Sequence, residues 1–343
     1  MRDQIIENDI EELKKRLKKY AKQIQNKNFL VTGGAGFLGS WMCEILLEFD
    51  ANVTCQDNLS SGLSSNIDHL KSNKKFEFVQ LDIKEQVVQD KFDYILHMSS
   101  RAAPDDYNLH EIDTLLTNGE GTKNVLELAR ESNCSFLFAS TSEIYGDAQI
   151  VPTPESYWGN VNSIGKRSCY DEGKRYGEAL CSAYFREFNL DIKIARIFNT
   201  YGPRIRSDGS YGRALSRFVT NAINNENLII FGDGNQTRSF CYVTDTIAGL
   251  LSLILQKPGF YIMNIGSEKE ITINELAKLV IKNTNSQSKI KYSESMPDDP
   301  KRRCPNISKA RMILNWEPLI SLEEGLTKTI ELFRHNKKPT EAN

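Results

Sequence analysis

The chain's 343 residues, 40% of them apolar, suffice for one large α/β unit or for a domain with a smaller cap. Its 43 lysines and arginines against 45 aspartates and glutamates leave a formal charge of −2, so no global basic field draws it to nucleic acid, and anion binding must come from local arginines. The seven cysteines lack CxxC or other metal spacing, the start does not resemble a secretory signal, and no apolar run of eighteen residues is present; this predicts reduced thiols, a cytoplasmic protein, no metal and no membrane insertion.

Residues 1–27 precede the first strand. Ile6, Ile10, Leu13, Leu17, Tyr20 and Ile24 recur at helical spacing among lysines and glutamates. This predicts an amphipathic helical extension packed on its own domain, ahead of a partner contact or a membrane-surface role. An apolar strand, Phe29-Leu30-Val31, then runs into a turn with Gly33, Gly36 and Gly39 at three-residue intervals. The turn opens a helical segment through Phe37, Leu38, Trp41, Ile45 and Leu46. Strand, glycine turn and helix let the backbone approach a pyrophosphate, which the free N–H groups and positive end of the helix stabilise. The next strand, Ala51 to Gln56, ends at Asp57 and Asn58, about twenty residues on. A carboxylate there accepts hydrogen bonds from both hydroxyls of an adenosine ribose and repels a 2′-phosphate, which favours NAD over NADP.

Phe76–Val79 and Tyr94–His97 read as two more strands, the second followed by Met98-Ser99-Ser100, which should line the pyrophosphate or nicotinamide ribose. His97 reads as a packed strand residue rather than a catalyst. Leu115 to Ser132 reads as one helix. The strand Phe136-Leu137-Phe138 leads into a hydroxyl-rich turn, Ala139 to Gly146, containing Thr141 and Glu143. Such a turn at the carboxyl end of a parallel strand is where a doubly wound sheet places its chemistry. Tyr170 and Lys174 lie four apart, on one face of a helix. An ammonium beside a phenol lowers the phenol's pKa toward neutrality, so that Tyr170 takes a proton from a sugar hydroxyl while a nicotinamide takes the hydride. Ile192–Ile197 is a further strand. This alternation predicts a parallel sheet with helices on both faces.

After Asn199 the pattern loosens into loops rich in Gly, Asn, Pro and Arg. The predicted organisation is an extension at 1–27, an NAD-binding domain at 28–199 to which 240–257 returns, a smaller discontinuous sugar-nucleotide domain at 200–239 and 258–335, and a flexible polar tail at 336–343.

The glycine pattern, Thr141 and the Tyr170/Lys174 pair resemble an extended short-chain dehydrogenase/reductase acting on a nucleotide sugar, over about Asn28 to Phe333. Tyr157–Asn162, Ile164–Arg175, Ala195–Arg204, Gln236-Thr237-Arg238 and Asp298–Pro305 narrow the resemblance to the UDP-glucuronate decarboxylase family. It implies a Rossmann-type doubly wound fold, NAD as cofactor and a UDP-sugar as substrate. It also implies a homodimer paired through the helix bearing Tyr170 and the Leu115–Ser132 helix. Asp82 and Ile83 would lie beside the adenine, unless Asp82 is simply a helix N-cap. Thr141, Glu143, Tyr170, Lys174 and Arg303 would be catalytic. Tyr107, Asn199, Arg204, Arg213, Arg238, Tyr242 and Arg303 would meet the substrate, the arginines through phosphate and carboxylate.

Ser142 stands where sugar dehydratases of this kind carry an aspartate, and 4-epimerases usually lack an acid at the Glu143 position. Thr141-Ser142-Glu143 is therefore the decarboxylase pattern. The stretch Ser99–Tyr107 departs from it: Arg101 and Asp105 replace two prolines, and Arg101 either contacts an anion of the ligand or pairs with Asp105 or Asp106. The function expected is decarboxylation of UDP-glucuronate to UDP-xylose through a 4-keto intermediate. The rivals are a decarboxylase stopping at the 4-keto pentose, a UDP-sugar or UDP-uronate 4-epimerase, and a non-catalytic NAD-binding regulator.

Overall fold

The computed structural model describes residues 3–208, 211–295 and 299–335; the expected tail at 336–343 and Asp298 of the quoted motif lie outside them. The chain opens with α1 (Gln4–Leu17), whose first turn is capped by the Asp3 carboxylate accepting from the Ile5 N–H at 2.9 Å, and the short α2 (Ala21–Ile24). The units β1 (Asn28–Thr32), α3 (Phe37–Glu48), β2 (Asn52–Gln56), β3 (Phe76–Val79) and β4 (Tyr94–His97) follow. Next come α4 (Pro104–Leu109), α5 (Glu111–Leu116), α6 (Thr122–Ser132), β5 (Ser135–Thr141), α7 (Ser168–Phe188) and β6 (Ile192–Ile197). The helix expected at Leu115–Ser132 is interrupted by a wide π turn over Thr117–Gly121. Gly119 and Gly121 lie in that turn; a Cβ on Gly121 would stand 2.7 Å from Ile83 Cδ1, so the wide turn lets the backbone press onto the cofactor-side residue.

The second half comprises β7 (Thr200–Tyr201), α8 (Ala214–Ile223), β8 (Leu228–Phe231), β9 (Thr237–Ser239), β10 (Cys241–Tyr242), α9 (Val243–Ile254) and β11 (Phe260–Ile265). It closes with β12 (Glu270–Thr272), α10 (Ile273–Thr284), β13 (Ile290–Ser293), β14 (Arg302–Arg303), α11 (Ser308–Leu314) and α12 (Leu322–His335).

The main sheet has seven parallel strands in the order β11-β6-β5-β4-β1-β2-β3. Its strands are buried on both faces, and successive side chains alternate between two cores. Phe29, Val31, Leu96 and Leu137 join one; Leu30, Ile95, Phe136 and Phe138 join the other. The strand order reverses between β1 and β4, which opens a crevice at the carboxyl ends of the strands. One boundary is corrected: β11 pairs with β6 from Phe260↔Ile192 to Ile265↔Ile197, so the return to this domain extends to residue 265 instead of ending at 257. The cap consists of the β12-β9-β14 and β13-β8 sheets with α8, α10 and α12. The apolar face of α1 packs on α3 and α9, burying Ile10, Leu13 and Leu17, in keeping with the intramolecular expectation.

Candidate active site

The crevice widens into a cavity of about 640 Å³ between the main sheet and the cap. At its cofactor end Gly33 has φ +69°, and a Cβ there would stand 2.8 Å from Ser99 backbone atoms. A Cβ on Gly39 would stand 2.1 Å from the Gly33 carbonyl. Only glycine permits so tight a turn, and the turn leaves room for a pyrophosphate at the start of α3. Gly33, Gly36, Phe37, Leu38, Gly39, Asp57, Asn58, Asp82, Ile83 and Met98 all line the cavity. Asp57 follows directly on β2, with Oδ2 accepting from the Ala35 N–H at 3.0 Å and Oδ1 from the Leu59 N–H at 2.8 Å. Burial raises its pKa and these two bonds pull it back. Asp82 caps a turn, accepting from the Lys84 N–H, and holds Asn58 Nδ2 at 2.9 Å. These residues fit NAD: a glycine cradle for the diphosphate and a carboxylate at the ribose position.

At the other end β5 delivers Thr141, Ser142 and Glu143, and α7 delivers Tyr170 and Lys174 to the same cavity. Burial pushes the Tyr170 phenol up to about 12, against a hydrogen bond with Thr141 and the positive charge of Arg213. Burial also pushes Lys174 down to about 7. Its ammonium donates to the Ala139 carbonyl at 2.9 Å and stands 4.8 Å above the Phe138 ring. The expected lowering of Tyr170 toward neutrality by Lys174 is thus corrected: burial outweighs the Thr141 hydrogen bond and the Arg213 charge that pull the phenol down. The Tyr107 and Tyr170 rings stack with centroids 5.1 Å apart and planes 3° apart, so Tyr107 lies against the proposed base rather than on the cavity wall.

Glu143 is clamped. Arg303 binds it through two nitrogens at 2.6 and 2.7 Å, and Arg167 adds a contact at 2.5 Å. Burial would raise its carboxyl, but the two guanidiniums hold it down at about 2. Arg238 lies beside Arg303 because β9 and β14 pair in parallel with Arg303↔Arg238, and it donates to Asp299 at 2.9 Å. Asn199, Arg213, Arg238 and Arg303 line the cavity, with Arg213 bonded to the Ala102 carbonyl at 3.2 Å. Arg101 takes the ion-pair alternative, holding Asp106 at 2.8 Å and Asp113 at 3.1 Å.

Besides Tyr107, two more expected substrate residues are corrected. Arg204, at φ +71°, turns back onto α3, pairs with buried Glu44 and lies 5.0 Å over the Trp41 ring. Tyr242 is fully buried behind the site, its hydroxyl donating to Asp9 at 2.6 Å. Tyr201 and Phe240 reach the cavity instead. Arg167 was missed as a site residue; it stands one turn before Tyr170, on the same side of the helix start, and that spacing was the available signal. His97 is buried between Thr32 and Thr122, at 2.7 and 3.0 Å, with its pKa pushed down to about 3, so it is a structural residue. Among the described residues no group of His, Cys, Asp and Glu could hold a metal ion, and no helix is long and apolar enough to cross a membrane.

The family model described as the NAD dependent epimerase/dehydratase family matches residues 29–266. The chain is 41% identical to UDP-glucuronic acid decarboxylase 1 of Xenopus tropicalis, over 92% of this chain and 74% of that protein. It is 44% identical to UDP-glucuronic acid decarboxylase 3 of Arabidopsis thaliana, over 90% of each. Among solved structures it is similar to UDP-glucose 4-epimerase of Thermotoga maritima with UDP-glucose, with a TM-score of 0.81 and 30% identity over 90% of this chain and 99% of that one. It is also similar to UDP-glucuronic acid 4-epimerase of Bacillus cereus in complex with UDP-glucuronic acid and NAD, with a TM-score of 0.82 and 29% identity over the same shares.

Proposed function

Belonging to the NAD dependent epimerase/dehydratase family and, within it, to the UDP-glucuronic acid decarboxylases, the chain is an NAD-dependent carboxy-lyase acting on UDP-glucuronate, and we propose that it carries this substrate through a 4-keto intermediate to UDP-xylose. The observation that carries the reading is the Glu143–Arg303–Arg167 clamp inside the cavity that holds Thr141 and Tyr170. Redox chemistry at C4 needs no such cluster; a sugar carboxylate does. The turn at Gly33, Gly36 and Gly39 and the Asp57 carboxylate would hold NAD, which would supply a reversible hydride acceptor for C4. Tyr170 takes the C4 hydroxyl proton, with Thr141 hydrogen-bonded to it and Lys174 behind it. The resulting β-keto acid loses CO₂, and Tyr170 and Thr141 hydrogen-bond the enolate oxygen that develops at C4. Arg303 and Arg167 orient the departing carboxylate. Glu143 remains ionised at neutral pH, so it aims these guanidiniums and orients a water, and the proton that C5 gains after CO₂ leaves comes from solvent through that water.

Two further readings belong here. The exposed apolar side chain of Leu115 on α5 lies near Tyr176 on α7, and this face supports a two-fold homodimer. Cysteine thiols that are all buried and unbridged among the described residues fit a reducing, cytoplasmic setting.

Incubation with UDP-glucuronate and NAD, read by product NMR, tests the function. Loss of CO₂ with a xylose spectrum is expected. An unconverted C6 carboxylate with inverted C4 would make the chain a 4-epimerase, and an untouched sugar would make it a regulator.

A further inference from the structure

The substrate end of the cleft brings together Arg167, Arg238 and Arg303 with two carboxylates, and those carboxylates are held unequally. Glu143 has a 15% exposed side chain and receives three charge-assisted contacts from two arginines. Asp299 is 30% exposed, accepts from Arg238 through one oxygen at 2.9 Å, and stands 3.9 Å from Arg167. Arg238 is 9% exposed, and its Nη1 is engaged by the Thr237 carbonyl at 2.8 Å. Asp299 is therefore its hydrogen-bonded carboxylate partner among the described residues, with Glu143 acting on it only through charge, and losing Asp299 would leave a buried cation under-compensated. A sugar nucleotide brings negative charge into this same cavity. A second anion at Arg238 would meet Asp299 as a like charge at short range, which is costly unless one of them leaves. Glu143 is locked in place; Asp299 is weakly held and borders solvent.

We propose that Asp299 is a placeholder for the substrate's anion: it neutralises Arg238 in the empty cleft and is displaced toward solvent when an anionic group of the UDP-sugar takes that guanidinium. The identity of the substrate rests on the decarboxylase reading; the exchange itself does not. The exchange makes Asp299 a specificity residue. Replacing one anion by another leaves the charge around the arginines unchanged, whereas a neutral ligand must either leave Asp299 in the way or strip Arg238 of its partner.

Asp299→Asn keeps the size and removes the charge. If the empty protein must release Asp299 before binding, its apparent affinity is lowered by the fraction still latched. In the variant, titration calorimetry on NAD-loaded protein should therefore show the Kd for UDP-glucuronate falling about two- to fivefold, in line with a partly exposed ion pair. KM should fall with kcat unchanged. The melting temperature of the empty protein should drop, while that with saturating UDP-glucuronate should match wild type. UDP alone identifies the displacing group: tightening by the same factor assigns the diphosphate to Arg238, and tightening confined to UDP-glucuronate assigns the carboxylate, either result supporting the exchange. An unchanged Kd overturns the proposal, as does a higher Kd, which is what a residue that positions Arg238 in the complex would give. Tighter UDP binding by the variant in a protein that releases no CO₂ would leave the exchange standing and remove the decarboxylase reading.

Discussion

Burial drives the two ends of the Tyr170/Lys174 pair in opposite directions, the phenol up to about 12 and the ammonium down to about 7. Tyr170→Phe should cost roughly two to four powers of ten in kcat while UDP and NAD still bind, since only the proton acceptor is lost; near-normal turnover would reject Tyr170 as the base. Lys174 makes a stability statement as well. Its folded pKa lies below the ordinary 10.5, so the unfolded chain binds more protons between about 7 and 10.5, and stability rises with pH across that window. Lys174→Met should flatten this rise, stabilise the fold at neutral pH and abolish turnover. Urea midpoints between pH 7 and 10 check it, and an identical slope in both proteins would sink the assignment. At this scale a side chain's place in the cleft was legible where local spacing fixes it: glycines at a turn, Tyr170 and Lys174 on one helix, Thr141 and Glu143 after a strand. It was not legible where side-chain direction depends on distant partners. Arg204 follows Glu44, 160 positions away along the chain, and Tyr242 follows Asp9, 233 positions away.

The elements were read best where a strand is short, apolar and followed by a helix, as for β1, β4 and β6. β11 was assigned to the cap because Phe-Tyr-Ile-Met-Asn-Ile sits among Gly- and Asn-rich loops, and nothing local marks it as the edge of a sheet begun more than two hundred residues earlier. The π turn was invisible for a related reason: it changes the helix period for a few residues only, and the close approach of Gly121 to Ile83 within it depends on a residue far back in the chain. α1 was legible as an amphipathic helix, and its burial gives a direct test. Leu13→Ala removes a side chain that is 2% exposed and should cost about 2–4 kcal/mol in equilibrium urea unfolding, with NAD affinity unchanged because the helix lies behind the cofactor turn. A cost below about 0.5 kcal/mol would mean the helix is not docked.

For the molecule as a whole, fold and cleft follow from the strand order, and the reversal between β1 and β4 puts both motifs at one mouth. The exposed face of α5 and α7 has the composition of an interface. Tyr176→Asp places a charge at a side chain that is 55% exposed, which a monomer would tolerate. In light scattering at micromolar concentration the wild type should be a dimer and the variant a monomer; two identical masses would discard that face as the seam. The docking of α1 also bears on synthesis at the ribosome. Its Arg16 pairs with Asp245 and its Asp9 with Lys328, so full docking of α1 waits for segments made more than two hundred residues after it. Until then Ile10, Leu13 and Leu17 have α3 beside them but lack the α9 surface, so part of their apolar face stays uncovered while those later segments are made. The charges interleaved along that helix, Lys14, Lys15 and Arg16 among them, keep it soluble during the wait, and the Arg16 pair with Asp245 is among the contacts that end it.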